Sequence, residues 1–131
     1  MTGRFVFLSM QKRHNKDIGS FGEALAGDYL IRKGYKILDK NAKQSYKEVD
    51  IIAEKDGWTI FVEVKTRTSS VYGGASEALT ARKISHIKRA ISIYARKHSG
   101  LNYDFVRADL IAIDINREKK TAKIKHYQEI F

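Results

Sequence analysis

The chain has 131 residues, no cysteine, no proline and 43% apolar residues, and its 25 Lys+Arg against 15 Asp+Glu give a formal charge of +10. That length fits one domain, and the lack of cysteine excludes disulfides, thiolate chemistry and zinc–cysteine sites and suits a reducing cytoplasm. So large a basic excess predicts a polyanionic partner, nucleic acid first and an anionic membrane surface second, while the early apolar run Phe5-Val6-Phe7-Leu8 is too short for a signal peptide or a membrane span.

Residues 1–16 carry Arg4, Lys12, Arg13, His14 and Lys16 without periodicity and read as a flexible basic arm; residues 17–131 form the single folded domain. Ser20-Phe21-Gly22-Glu23 has capping-box spacing and opens a helix that runs to about Lys33, with Gly34 as its stop. Glu23 therefore has two readings, a cap that bonds back to the Ser20 amide or a further acid beside the site described next. Tyr35-Lys36-Ile37-Leu38 is a short strand, and residues 39–47 are a polar connection.

Residues 48–65 predict a β-hairpin. Two runs rich in Val, Ile and aromatic residues flank Asp56-Gly57, the signature of a two-residue type I′ turn. Lys55 then faces Trp58, Ile52 faces Phe61, Asp50 faces Glu63 and Glu48 faces Lys65. Alternation puts Val49, Ile51, Ala53, Ile60, Val62 and Val64 on one apolar face and Glu48, Asp50, Ile52, Phe61, Glu63 and Lys65 on the other. Two carboxylates meet across the strands, roughly 4.5–5.5 Å apart at Cβ, where like charges destabilise. A shared proton, a nearby lysine or a bound cation must compensate. A hard dication such as Mg²⁺ takes oxygen ligands of this kind, and Lys65 would then orient a water or stabilise charge on a phosphate. The alternative is a solvated strand face with an ordinary surface ion pair; the apolar Ile52 and Phe61 on that face speak against it.

After Lys65 comes a loop rich in hydroxyls and glycine, ending at Gly73-Gly74. Residues 76–97 form the longest helical pattern, with Ile84, Ile87, Ile91 and Tyr94 as an apolar stripe that fits the hairpin's apolar face and Gly100 as its stop. Arg82, Lys83, Lys88, Arg89, Arg96 and Lys97 give that helix a basic, phosphate-facing or solvated surface, and His86 reads as a surface residue. Residues 104–114 and 121–127 are two further strands joined by a turn at 116–119. The order is helix, strand, hairpin, helix, two strands, an α/β arrangement with a mixed sheet flanked by helices.

With these residues placed, the chain resembles the bacterial YraN (UPF0102) family, a branch of the restriction-endonuclease-like PD-(D/E)XK superfamily that also holds archaeal Holliday-junction resolvases. The resemblance rests on Gly22-Glu23, Glu48-Val49-Asp50-Ile51-Ile52, Phe61-Val62-Glu63-Val64-Lys65-Thr66-Arg67, Lys83 and Val106-Arg107-Ala108-Asp109-Leu110, and covers residues 18–131. The chain departs from the family's usual pattern at Lys47, where a Gly is usual, and at Ala108, where a Phe is usual. The resemblance implies a restriction-endonuclease-like αβββαβ core and a metal-dependent phosphodiester hydrolase site. Residue by residue, it implies Asp50 and Glu63 as metal-binding carboxylates, Lys65 as the catalytic lysine and Glu23 as the assisting first-helix acid.

Together these readings predict a Mg²⁺- or Mn²⁺-dependent endonuclease acting on DNA, with branched or structured DNA as a candidate substrate. Asp50, Glu63 and the Val64 carbonyl are the expected metal ligands, and Arg67, Lys83 and Arg89 the expected phosphate contacts. The alternative is a nucleic-acid-binding module that keeps the fold without turnover. No membrane association is expected, although a membrane-surface role for the basic helix is a third, weaker reading. Cytoplasmic localisation is expected, and a homodimer is suggested only by analogy with the resolvases.

Overall fold

In the central hairpin, Asp56 and Gly57 both have positive φ (51° and 84°), as the type I′ turn demands. The expected register follows, with Lys55 opposite Trp58, Ile52 opposite Phe61 and Ile51 opposite Val62. A computed structural model describes residues 2–4, 15–40, 49–68 and 79–131. Glu48 and residues 69–74 of the expected loop lie outside the described residues, while Thr66 and Arg67, expected in that loop, still belong to the strand.

In chain order the elements are β1 (Thr2–Arg4), α1 (Asn15–Arg32), β2 (Lys36–Lys40), β3 (Ile51–Lys55), β4 (Trp58–Arg67), α2 (Ala81–Lys97), β5 (Val106–Asn116) and β6 (Thr121–Tyr127). They build one mixed sheet in the order β1-β6-β5-β4-β3-β2. Only β4 and β5 run parallel, and α2 belongs to the crossover that a parallel pair needs. From α1 to β5 this is the αβββαβ order of the restriction-endonuclease-like fold. The stretch expected as an arm contains β1, which pairs with β6, and the first two residues of α1.

Both sheet faces are covered. Ile51, Ala53, Ile60 and Val62 pack with Ile111, Ile113 and Ile115 against Ile18, Ala26 and Leu30 of α1. Residues 18, 22, 26 and 30 are all buried, a stripe at four-residue spacing in which small side chains let α1 lie close to the sheet. Ile52, Phe61 and Ala108 pack on the other side against Ile87, Ala90, Ile91 and Tyr94 of α2. This corrects two expectations. The α2 stripe seats on the face that carries the acids, which explains Ile52 and Phe61 there. Val49 joins that second cluster, because the strand begins only at Ile51 and alternation does not reach back through the bend at Asp50.

Boundaries differ where capping signals mislead. α1 starts at Asn15, so Ser20 is internal and does not cap. Its end is as expected: Gly34 has φ 91°, the Gly34 amide donates to the Ile31 carbonyl and the Tyr35 amide to the Leu30 carbonyl, a Schellman motif. α2 begins at Ala81 rather than Ser76, because the Thr80 hydroxyl accepts the Lys83 amide at 3.2 Å. It stops at His98, two residues before Gly100. A 3₁₀ turn over Tyr103–Phe105 delays β5 to Val106.

A buried polar network pins β5 and β6 to α1. Asp109 is fully buried. Its carboxylate accepts from Arg107 Nε at 3.0 Å, lies 2.7 Å from His126 Nε2 and accepts the Glu129 amide at 3.2 Å. Burial works against the charge, but the bonds from His126, Arg107 and the Glu129 amide outweigh it and hold the carboxyl below its ordinary range. An ionised Asp109 accepts from His126 Nε2, and His126 Nδ1 is hydrogen-bonded to the Tyr29 hydroxyl 3.1 Å away. Arg107 Nη2 also donates to the Tyr35 hydroxyl at 2.9 Å.

Removing this anchor would leave Arg107 Nε, His126 Nε2 and the Glu129 amide without their acceptor and the guanidinium without its counter-charge. Asp109→Ala is expected to lose about 3–5 kcal/mol of stability by urea unfolding. A depressed folded pKa gives stability that is present above the unfolded carboxyl value and lost as pH falls through the folded one. The Asp109→Ala difference should therefore shrink in acid and hold its full size at neutral pH.

Candidate functional site

β4 is longer than its neighbour. It has ten residues against five in β3. Its ladder with β3 ends at Val62, while its ladder with β5 continues to Arg67. From Glu63 onward, one edge of β4 has no β3 partner. Asp50 fills the first place on that edge. Its amide donates to the Val62 carbonyl at 3.2 Å, and its Oδ2 accepts the Val64 amide at 2.8 Å. The carboxylate thus replaces a strand carbonyl. A residue's amide and carbonyl point to the same strand edge, so the Val64 carbonyl faces the Asp50 side as well.

Glu63 is buried beside it, at 6% exposure. Burial, then the hydrogen bond and charge of Asp50, push its carboxyl up to about 8, with Lys83 pulling the other way. Glu63 therefore keeps its proton at neutral pH. Lys83, in the first turn of α2, places Nζ 3.1 Å from Glu63 Oε2. That contact is poorly directed for a hydrogen bond, and Oε2 is buried with no hydrogen-bond partner. Of the three compensations the sequence allows for facing carboxylates, the lysine is present in the Lys83 contact, and the raised Glu63 value favours the proton.

Lys65 is exposed, and alternation puts it on the Glu63 face. A cavity of about 570 Å³ opens between α1 and the end of β4, lined by Ile18, Gly19, Glu23 and residues 64–68. Glu23, Val64, Lys65 and Arg67 therefore share one cavity; Asp50 and Glu63 are not in its lining, and Val64 joins the two places. The capping reading of Glu23 falls, since its supposed partner Ser20 sits inside the helix. Gly22 fixes the approach: a Cβ there would run into the Thr66 hydroxyl. Arg89 is exposed on α2, six residues and about 240° around the helix from Lys83. The structure thus gathers Asp50, Glu63 and Lys83, brings Glu23, Lys65 and Arg67 alongside, and leaves Arg89 apart. Among the described residues no three or more His, Asp or Glu side chains converge on one point as a metal cage.

Sequence reasoning missed the direct contact of Lys83 with Glu63 and the Asp109 network. Both join segments far apart in the chain, and no spacing rule reports such meetings. The one available signal was the hydroxyl of Thr80, which as a cap brings residue 83 into the first helical turn.

The sequence profile described as "Uncharacterised protein family UPF0102" matches residues 22–113. The chain belongs to the UPF0102 (YraN) family. A UPF0102 protein of Clostridium botulinum (strain Loch Maree / Type A3) is 39% identical over 117 residues, covering 89% of this chain and 95% of the relative. A UPF0102 protein of Syntrophomonas wolfei is 40% identical over 117 residues, covering 89% of this chain and 99% of the relative. The profile spans Gly22, Glu23, both acids, Lys65 and Lys83. No described helix is long and apolar enough to cross a membrane.

The raised Glu63 value sets a sign. A folded pKa above the unfolded one gives stability that is fully present below the unfolded value of about 4.5 and lost as pH rises through about 8. In chelator-treated protein, stability from this group should decline across that window. Glu63→Gln, which carries no charge to lose, should flatten the decline and exceed wild type above pH 8 in thermal melts.

Proposed function

We propose that this UPF0102 protein is a metal-dependent endonuclease that hydrolyses phosphodiester bonds in DNA, branched or structured DNA included. The observation that carries the reading is the half-buried Asp50 against the buried Glu63 where β4 outruns β3, with Glu63 Oε2 lacking a hydrogen-bond partner and the Lys83 ammonium 3.1 Å from it. The formal charge of +10 supports a polyanionic substrate.

The donor set fits a hard dication. Two carboxylates and a strand carbonyl offer only oxygen, as Mg²⁺ or Mn²⁺ prefers. The orphaned Glu63 Oε2 is an acceptor that a cation would satisfy, and the proton on Glu63 is one that a dication would displace. Asp50, Glu63 and the Val64 carbonyl would hold it. When bound, such an ion polarises a phosphate and lowers the pKa of water.

The remaining roles belong to the chain itself. Asp50 holds β4 at Val62 and Val64, so its carboxylate cannot drift from Glu63. Lys65, exposed on the same face, orients water or stabilises the charge that develops on the phosphate. Arg67 in the cavity and the exposed Arg89 neutralise flanking phosphates without reading bases. Glu23 presents a second acid to the cavity that Lys65 and Arg67 line. The Glu63 proton and the Lys83 contact also relieve the acids without any ion, and this favours a second reading, a DNA-binding module without turnover.

Cleavage of plasmid and junction DNA in Mg²⁺ or Mn²⁺ separates the two. Asp50→Ala and Lys65→Ala should each lose on the order of 10²–10³ in rate while still binding DNA. Equal rates in wild type and both variants would end the nuclease reading, and binding without any metal-dependent cleavage would support the module.

A further inference from the structure

We propose that the Lys83 ammonium is the resident counter-cation of the acidic pair, so that Lys83 and a divalent cation are alternative occupants of Glu63 Oε2. This inference rests on the reading of Asp50 and Glu63 as a metal-binding pair and adds the group that competes for it.

The geometry has three parts. Oε2 is buried and lacks a hydrogen-bond partner, yet Lys83 Nζ is 3.1 Å away, so charge rather than a directed bond holds the ammonium there. A dication on the same oxygen would be no more than about 5 Å from that ammonium, and like charges at such a distance repel strongly inside a protein. The two cations therefore exclude each other.

The ammonium is also free to leave while its backbone stays. The Lys83 side chain is 43% exposed, against 8% for Glu63. Its amide is fixed by the Thr80 cap, and α2 is anchored through Ile87, Ala90, Ile91 and Tyr94. Only the flexible four-carbon stem has to swing outward. Displacement requires no shift of the helix or the sheet.

Two consequences follow. Without metal, Lys83 offsets part of the repulsion between Asp50 and Glu63. With metal, the released ammonium stands at the exposed rim of the same carboxylate, where a phosphate oxygen can bind it. A polyanion that draws Lys83 outward thus raises metal affinity, and metal raises polyanion affinity by the same factor.

The test is calorimetric titration of Mg²⁺ into wild type, Lys83→Met, Lys83→Arg and Glu63→Gln at pH 9, where protons compete least for the carboxylate. Lys83→Met should bind on the order of tenfold more tightly than wild type. Lys83→Arg, which restores a cation, should return to wild-type affinity, and Glu63→Gln should abolish binding. In melts, metal-free Lys83→Met should lie below wild type, and saturating Mg²⁺ should raise it by more degrees. Equal or weaker binding by Lys83→Met would overturn the role of Lys83 while leaving the metal site intact. No binding to wild type or to either Lys83 variant would overturn the metal-site reading itself, and this inference with it.

Discussion

The site exists because one strand outruns its neighbour. β4 continues five residues beyond Val62 along β5, while β3 begins only at Ile51. A strand edge left without a partner would waste backbone donors and invite pairing with another chain. Asp50 takes the Val64 amide in place of a strand carbonyl. That substitution places one carboxylate at the sheet edge, and the twofold alternation of β4 places Glu63 beside it. Once this geometry is set, the repulsion between the acids is a consequence of the topology. The proton, the Lys83 ammonium and the open oxygen are responses to it.

The two halves of the molecule handle buried charge differently. On the α1 face, Asp109 has three hydrogen-bond donors from Arg107, His126 and the Glu129 amide, and its charge is favoured. On the α2 face, Glu63 has a like charge at its side, one loosely directed ammonium and an unsatisfied oxygen, and its charge is disfavoured. A fully satisfied network rigidifies, and a half-satisfied one stores unfavourable energy that a ligand can relieve. The contrast separates an α1 side whose buried charge is satisfied from an α2 side whose buried charge is not. It also explains why Gly22 matters. The rigid side must bring α1 close to Thr66, or Glu23 would not reach the cavity that Lys65 and Arg67 line.

Most of the architecture was legible because it is local. Asp56-Gly57 fixed the turn and therefore every pairing from Ile51 to Val62. Gly34 ended α1 through its positive φ. The facing of Asp50 and Glu63 was an extrapolation of that register by one step; the ladder stops at Ile51 and Val62 and Asp50 sits in a bend, but its amide bonds to the Val62 carbonyl and its carboxylate still meets that of Glu63. The same extrapolation failed for Val49, one residue further out, where the strand has given way to a bend. The Ser20 and Glu23 spacing misled because capping boxes are common by chance and α1 has room to begin five residues earlier.

What could not be read is tertiary. Alternation gave Ile52 and Phe61 to the acidic face but could not say that α2 would cover them, so the stripe at Ile87 and Ile91 was matched to the wrong side. Once α2 lies on that face, its first turn must hang over the end of β4. Lys83 is then the helix residue that meets Glu63, and the helix cap at Thr80 becomes part of the site through the backbone it fixes. A basic helix residue that looked like one of many surface charges is distinguished from the rest only by where its neighbours Ile87 and Ala90 are buried. The electrostatics of the acidic pair are therefore decided by hydrophobic packing a turn and more away, and a core substitution that rotated α2 would alter the charge balance at Glu63 without touching either acid.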